Sequence, residues 1–193
     1  HSWQGDDADR QRQQPKQQPA LPAGQGQVTV GVKFIRFVGL NTLFVARCNN
    51  ADFRALDFSA LKVTLSGGMA LQLAAADRWK SVTGCAICEG YGMTETSPVS
   101  LQTGPDDVLE LRVTTVGRTQ PQLESKIIDP QGGTVARGQT GELCTRGYSV
   151  MLGYWDNPQA TASAIDAAGW MPTGDLAVLD EAQENGARSA AVL

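Results

Sequence analysis

The segment from residue 61 to residue 98 constrains the fold more than any other part of the sequence. It opens with a short apolar run that ends in two glycines, LKVTLSGG at 61–68. A second apolar run, CAIC at 85–88, precedes the decapeptide EGYGMTETSP at 89–98. Between the two runs, apolar side chains recur at the spacing of an amphipathic helix, at Met69, Leu73, Ala76, Trp79 and Val82. This order of strand, helix and strand predicts a parallel α/β sheet, with SGGM and EGYGMTE side by side at the carboxyl ends of its strands.

The composition indicates a globular chain with no strongly charged partner. The 193 residues carry a formal charge of −4, and 41% of them are hydrophobic. The absence of a basic stripe argues against nucleic acid as a partner. No apolar run approaches the roughly 18–20 residues of a membrane span, which leaves peripheral membrane contact open. No signal-peptide pattern is visible, so a cytoplasmic location is expected. The oligomeric state is left open.

The histidine and cysteine content limits the chemistry. His1 is the only histidine, which argues against catalytic triads and histidine-ligated metals. Cys85 and Cys88 form a CxxC pair, whereas Cys48 and Cys144 stand alone. In a strand, side chains three apart point to opposite faces. The cysteines are therefore predicted to be small buried apolar residues rather than zinc ligands or a redox pair.

Four segments are predicted along the chain. Residues 1–27 are rich in Gln, Pro and Gly and are expected to be disordered or foreign to the protein. Residues 28–114 are predicted to form part of an α/β subdomain with nucleotide-binding loops, including a helix at 41–50 capped by Asn41. Residues 115–181 are predicted to form a β-rich subdomain, and residues 182–193 stay unassigned.

The β-rich segment has its own local signals. Alternating apolar residues surround a DPQGG turn at 129–133, which predicts a small antiparallel sheet or barrel. The stretch 156–169 predicts a helix with Asn157 as its cap, Pro158 in its first turn and Gly169 as its stop. The motif WMPTGD at 170–175 predicts a turn that leads into a strand.

Several of these loops contain residues suited to a nucleotide. Tyr91 offers an aromatic face for a base, and Gly92 lets the backbone approach a ligand. Thr94 offers a hydroxyl to a phosphate, and Glu95 offers a carboxylate to Mg²⁺. Asp175 can accept two ribose hydroxyls. The alternatives are an ordinary strand-to-helix turn at SGGM, a glycine turn capped by Thr94, and an Asx turn at Asp175.

The ordered motifs SGGM, EGYGMTETSP, GELCTRGYSVMLGYWDNPQAT and GWMPTGD resemble those of the acyl-adenylate-forming family. This family includes fatty acyl-CoA synthetases, luciferases and the adenylation domains of peptide synthetases. VGLNTLF at 38–44 and the stretch from LDFSALK to SGGMALQ are most similar to medium- and long-chain fatty-acid–CoA ligases. The similarity covers residues 34 to 181. It implies an α/β fold: part of the family's large N-terminal domain, with a parallel α/β subdomain and a small antiparallel β-subdomain.

The resemblance also assigns roles around the adenine base. Tyr91 corresponds to the residue that stacks on adenine, and Gly67 and Gly68 would line the other side of the base. Glu89 and Gly90 would lie near the adenine edge.

Further along the nucleotide, the resemblance implies the catalytic and metal-binding positions. Thr94 corresponds to the α-phosphate contact, and Glu95 to the Mg²⁺ carboxylate. Gly92 belongs to the same loop, and Asp175 corresponds to the residue that binds the ribose hydroxyls. The glycine-rich stretch 141–154 would be structural.

The implied reaction has two steps and uses ATP, Mg²⁺ and CoA. A fatty-acid carboxylate attacks the α-phosphate of ATP to form an acyl adenylate, and the thiol of CoA then displaces AMP. The sequence contains no TSGTTGxPK-type phosphate loop, no Gly-Arg-x-x-Asp hinge and no following lysine domain, and Pro172 replaces the usual residue before TGD. The chain is therefore expected to be an internal fragment that is inactive alone. The alternatives are a non-catalytic nucleotide-binding or structural module of the same fold, and a ligase for another carboxylic acid.

Overall fold

A computed structural model of the chain describes residues 34–179 and 190–192. The predicted segment 1–27 and most of the unassigned tail lie outside these residues, and the segment boundaries stay a prediction. No helix in the described ranges is long and apolar enough to cross a membrane.

A five-stranded mixed sheet carries the first half of the described chain. Its strands, in spatial order, are β1 (Arg36–Gly39), β2 (Val63–Gly67), β3 (Ile87–Tyr91), β4 (Leu101–Gln102) and β5 (Arg118–Thr119). The first three strands are parallel, as the sequence predicts, whereas β4 and β5 are antiparallel to their neighbours. Pairing of Ser66 with Glu89 and of Gly67 with Gly90 places the ends of β2 and β3 side by side.

Helices α1 (Asn41–Asn49), α2 (Ala51–Arg54) and α3 (Leu73–Thr83) cover this sheet, and α4 (Leu109–Thr114) follows β4. An aromatic cluster joins them to the strands. The Trp79 ring centroid lies 4.7 Å from that of Phe37 and 4.9 Å from that of Phe44. The Trp79 indole N–H donates to the buried Thr64 hydroxyl of β2, 3.1 Å away. This core fixes β2 and β3, whose carboxyl ends carry the candidate site.

Two helix predictions are wrong in detail. Asn41 does not cap α1, because it is already the first helical residue; its buried Oδ1 accepts a hydrogen bond from the Gln72 N–H, 3.0 Å away. Helix α3 begins at Leu73 rather than at 69, so Met69 and Leu73 are exposed. The residues that α3 buries are Ala75, Ala76, Trp79 and Thr83.

The cysteines are free thiols. Cys48, Cys88 and Cys144 are buried, as the sequence predicts, and burial raises the pKa of each, for Cys144 to about 11. Cys85 is partly exposed, because β3 begins only at Ile87 and leaves this residue outside the strand.

A four-stranded antiparallel sheet carries the second half, which confirms the predicted antiparallel sheet. Its strands are β6 (Leu123–Ile128), β7 (Thr140–Gly147), β8 (Met171–Leu179) and β9 (Ala190–Val192). A second core lies against this sheet and includes Leu101, Ile127, Leu143, Ala177 and Ala190. Strand β9 falls in the tail that has no sequence signal.

The Thr-Gly-Asp motif lies within β8 and not in a turn before it. The register of β8 against β7 shifts between Glu142 and Cys144, which produces a bulge at Thr173–Asp175. The Thr173 hydroxyl donates to a β7 carbonyl, 2.8 Å away, and the Gly174 N–H donates to Glu142 Oε1, 2.9 Å away. These bonds satisfy the groups that the bulge releases from the ladder.

Helix α5 (Pro158–Ala164) connects β7 and β8. Asn157 caps it through a 2.9 Å bond from the Ala160 N–H, which confirms the predicted cap. The helix ends at Ala164 rather than at Gly169, because the Asp166 carboxylate accepts bonds from the N–H groups of residues 168 and 170 and forms a separate turn.

Candidate active site

A cleft of about 380 Å³ opens at the carboxyl ends of β2 and β3. Both sheets contribute to it, because β8 and β9 complete the wall opposite β3. Six of the candidate residues line it: Gly68, Glu89, Gly90, Tyr91, Gly92 and Asp175. The remaining lining residues are apolar or small: Met69, Ala70, Val116 and Val192. The cleft therefore combines a mostly apolar wall with a few polar groups, as small-molecule sites do.

Tyr91 and Asp175 meet across this cleft although they lie 84 residues apart. The Tyr91 hydroxyl donates to Asp175 Oδ2 at 2.5 Å. Tyr91 ends β3 in the mixed sheet, and Asp175 belongs to the β8 bulge in the antiparallel sheet. Burial and the Asp175 carboxylate both raise the pKa of Tyr91, so this phenol stays protonated at neutral pH. The bond links the two sheets at the site.

Glu89 is the buried carboxyl group of the cleft, with 5% of its surface exposed. Its backbone N–H donates to the Thr103 hydroxyl at 2.7 Å, whereas Oε2 of its carboxyl has no hydrogen-bond partner among the described residues. Burial raises the pKa of Glu89 to about 7, and the nearby Ser66 hydroxyl offsets part of that rise. Near neutral pH the group can thus donate a hydrogen bond as well as accept one.

Two glycines of the site have no room for a side chain or need an unusual backbone. A Cβ on Gly92 would lie 1.6 Å from the Pro98 carbonyl oxygen, so the turn at 92–99 closes only around glycine. Gly68 has φ of +79°, a left-handed conformation that favours glycine. Gly67 lies just outside the cleft, paired with Gly90 in the sheet.

Thr94 and Glu95 lie on a 3₁₀ turn, Thr94–Thr96, and do not line the cleft. The alternative that Thr94 caps a helix is wrong: Thr94 is exposed, and the hydroxyl of the buried Thr96 makes the local bonds, to Met93 N and Pro98 O. Glu95 Oε1 accepts a hydrogen bond from the Tyr154 hydroxyl at 3.0 Å, and this bond raises the pKa of Tyr154.

Sequence reasoning missed several residues of this region. Val116 and Val192 line the cleft, Val192 through the pairing of β9 with β8 and Val116 through a 2.8 Å bond from its N–H to the Ala190 carbonyl, and neither long-range contact leaves a local signal. Tyr154 belongs to the glycine- and aromatic-rich stretch that the sequence marks as unusual but to which it assigns no chemistry. Its pairing with Glu95, 59 residues away, is visible only in three dimensions.

Comparison with known proteins identifies the class. A family model described as AMP-binding enzyme matches residues 23–155. The chain therefore belongs to the AMP-binding enzyme family, as the motifs indicate.

Curated relatives refine this position within the family. The chain is 45% identical over 148 residues to a long-chain-fatty-acid–CoA ligase of Escherichia coli O157:H7, an alignment that covers 77% of this chain and 26% of the relative. It is also 45% identical over 149 residues to the long-chain-fatty-acid–CoA ligase of Haemophilus influenzae, with the same coverage. The chain thus spans about a quarter of the length of these relatives.

Solved structures agree on the fold. An amide bond synthetase, McbA from Marinactinospora thermotolerans, superimposes with a TM-score of 0.70 at 28% identity, over 81% of this chain and 31% of that one. The anthranilate CoA ligase AuaEII in complex with anthranoyl-AMP superimposes with a TM-score of 0.68 at 28% identity, over 81% of this chain and 29% of that one. The predicted fold class, part of the N-terminal domain of adenylate-forming enzymes, is confirmed.

Proposed function

We propose that this chain carries the adenine and ribose part of the active site of an AMP-forming fatty-acyl-CoA ligase. The observation that carries the proposal is the Tyr91–Asp175 hydrogen bond, which brings the EGYGMTETSP and GWMPTGD motifs together from different sheets at one cleft. The 45% identity to long-chain-fatty-acid–CoA ligases supports the substrate class.

The base would bind between Tyr91 and the glycines that end β2, Gly67 and Gly68. Stacking on the tyrosine ring contributes about 0.5–1.5 kcal/mol beyond the buried area. Glu89 and Gly90 would contact the adenine edge. A carboxyl group with a pKa of about 7 both donates and accepts hydrogen bonds, which matches the ring nitrogen and the exocyclic amine of adenine.

The ribose would bind at Asp175. Tyr91 occupies Oδ2 of this carboxylate, which leaves Oδ1 for the ribose hydroxyls. Gly92, next to Tyr91, also lines the cleft, so its backbone would lie beside the nucleotide. Base and sugar would thus be held from opposite sheets.

The phosphates would lie toward the 3₁₀ turn. The exposed Thr94 hydroxyl would donate to an α-phosphate oxygen, and the Glu95 carboxylate would hold Mg²⁺. No group of three or more His, Cys, Asp or Glu side chains that could hold a metal occurs in the described part of the chain. A single carboxylate nevertheless fits this ion, because Mg²⁺ is usually bound by one or two carboxylates together with water and substrate phosphates. When bound, it would neutralise charge that builds up on pyrophosphate.

In the proposed reaction a fatty-acid carboxylate oxygen attacks the α-phosphorus of ATP and pyrophosphate leaves. The sulfur of CoA then attacks the acyl carbon of the adenylate and AMP leaves. The residues of this chain would position the nucleotide and stabilise the developing charge, the terms that dominate in other phosphoryl transfers.

A second candidate is a ligase for an aromatic acid. The structural likeness to an anthranilate CoA ligase favours it, but at 28% identity against 45% for the fatty-acid ligases. A third candidate is a module that binds a nucleotide in the same cleft but catalyses no reaction.

A chimera separates these three. The aligned 148 residues of the Escherichia coli long-chain-fatty-acid–CoA ligase are replaced by those of this chain. ATP–pyrophosphate exchange is then measured with palmitate, octanoate, benzoate or anthranilate. Exchange with the fatty acids is the expected result. Exchange only with the aromatic acids would transfer the assignment to the second candidate, and ATP binding without exchange would favour the third.

A further inference from the structure

The Glu95 carboxylate is held by a loop that the proposed function leaves without a role. This loop, Tyr148–Trp155, follows β7. Its Tyr154 hydroxyl donates to Glu95 Oε1 at 3.0 Å, and its Met151 N–H donates to the Glu95 carbonyl oxygen at 2.8 Å. Glu95 is therefore tied to the same loop through its side chain and through its backbone.

The backbone of Tyr154 is held in turn by helix α5. Its backbone N–H donates to the Thr161 hydroxyl of α5 at 2.9 Å, and that hydroxyl donates to the Asn157 carbonyl at 3.0 Å. Gly153 has φ of +152°, and a Cβ there would lie 2.8 Å from the Thr161 side chain. The chain at 153–154 is thus seated directly against α5. Helix α5 and Gly153 together place the Tyr154 hydroxyl against the Glu95 carboxylate.

We propose that Tyr154 is a positioning residue for Glu95: its hydroxyl holds Oε1 and leaves Oε2 for the divalent cation that accompanies ATP. The inference rests on the proposed function, since it presumes that Glu95 meets that cation. In the described residues, no other side chain hydrogen-bonds to this carboxylate.

The chemistry of the donor suits this role. A tyrosine hydroxyl is neutral, so it orients the carboxylate without cancelling the negative charge that a cation needs. A lysine or arginine in the same place would form an ion pair and repel the metal. A glutamate on a partly exposed turn also has several rotamers, and fixing one of them before binding removes an entropic cost from the complex.

The test measures binding rather than turnover. ATP is titrated into the full 193-residue chain by calorimetry, with and without Mg²⁺. Four variants are compared with the wild type: Tyr154→Phe, Glu95→Gln, the double variant, and Tyr148→Phe as a matched control. Tyr148 is on the same loop and 71% exposed. Thermal melts check that each variant folds, and Tyr154→Phe keeps the ring that packs there.

Mg²⁺ is expected to strengthen ATP binding to the wild type and to the Tyr148 control. Tyr154→Phe should reduce that gain about fivefold, the order expected for one hydrogen bond to a charged group that is partly exposed. It should leave binding without Mg²⁺ unchanged and add nothing in the Glu95→Gln background.

An effect of Tyr154→Phe that persists without Mg²⁺ or in the Glu95→Gln background would overturn the inference, as would no effect at all. A wild type that binds ATP with no gain from Mg²⁺ would also overturn it, while leaving the adenine site standing. A wild type that binds no ATP would instead contradict the proposed function itself.

Discussion

At the scale of single residues, the candidate site is defined by three carboxyl groups in different environments. Glu89 is buried and its Oε2 has no hydrogen-bond partner among the described residues, Asp175 accepts from a tyrosine at the cleft, and Glu95 accepts from a tyrosine outside it. Three carboxyl groups of one kind thus have three different sets of neighbours.

Glu89 should make the stability of the protein depend on pH. Its pKa is about 7 in the folded protein, above the ordinary value of 4.5. Between these values the folded state keeps a proton that the unfolded state has lost, so the free energy of unfolding falls as pH rises from about 4.5 to about 7 and then levels off. The loss should be up to about 3 kcal/mol. Urea unfolding of wild type and Glu89→Gln across this range measures the loss. Parallel curves for the two proteins would show that folding does not raise the pKa of Glu89.

Substitutions of Glu95 and Asp175 should change different kinetic constants, which can be measured in the chimera. Glu95→Gln removes a charge that matters most as pyrophosphate departs, so kcat should fall by about tenfold to a hundredfold. Asp175→Ala removes ribose contacts that ground and transition states share, so the KM for ATP should rise by about tenfold with little change in kcat. Steady-state pyrophosphate release against ATP concentration distinguishes the two. Wild-type kinetics in both variants would contradict the assignment of the site.

At the scale of elements, the site depends on two irregular segments, the turn after β3 and the bulge in β8. The turn after β3 folds back on itself at Gly92, and the β8 bulge turns Asp175 toward β3. Bonds of the Thr96 hydroxyl hold the turn locally, whereas bonds from Thr173 and Gly174 to β7 hold the bulge.

Gly92→Ala should be severely destabilising, because its Cβ would lie 1.6 Å from the Pro98 carbonyl oxygen and the turn would have to reopen. We expect a loss of more than about 3 kcal/mol in the free energy of unfolding, at the upper end of the range for point substitutions. Gly104→Ala is the matched control, since the nearest atom to its Cβ would be 3.6 Å away. Chemical unfolding of both variants tests this, and equal small losses would mean that the turn at 92–99 is looser than described.

Local sequence patterns predicted the helices and strands better than they predicted the contacts between them. The strand at 63–67 and the Asn157 cap follow from an apolar run and one capping residue. The strand predicted at 85–88 lies at 87–91 instead, so Glu89, Gly90 and Tyr91 belong to the strand rather than to the loop after it. The Thr-Gly-Asp bulge could not be predicted from the local sequence, because a turn and a bulge use the same small residues. Only the register of β8 against β7 distinguishes the two. The Tyr91–Asp175 and Tyr154–Glu95 bonds join residues 84 and 59 positions apart, so spacing along the chain carries no record of them.

At the scale of the whole molecule, the cleft is a junction between a mixed sheet and an antiparallel sheet. One buried core, around Trp79, supports the mixed sheet, and a second, around Ile127, also includes Leu101 of β4 and so lies between the two sheets. The cleft takes β3 from the first and β8 and β9 from the second. A nucleotide held there would contact both and would stabilise their association.

ATP should therefore raise the melting temperature of the chain. A ligand that binds only the folded state at a hundred times its Kd adds about 2.7 kcal/mol to the free energy of unfolding. The gain should be reduced in Asp175→Ala and retained in Asp77→Asn, a control on the exposed face of α3. Calorimetric melts with increasing ATP measure this. Equal gains in all three proteins would show that the nucleotide binds away from the cleft.

The central claim is that adenine stacks on Tyr91 while its ribose meets Asp175. The most direct measurement is the set of intermolecular nuclear Overhauser effects between ATP and the isotope-labelled chain. Contacts from adenine H8 or H2 to the Tyr91 ring protons are predicted, together with contacts from the ribose H2′ and H3′ to the Asp175 β protons. Contacts confined to other aromatic side chains, such as the exposed Trp155, would contradict the site and with it the proposed function.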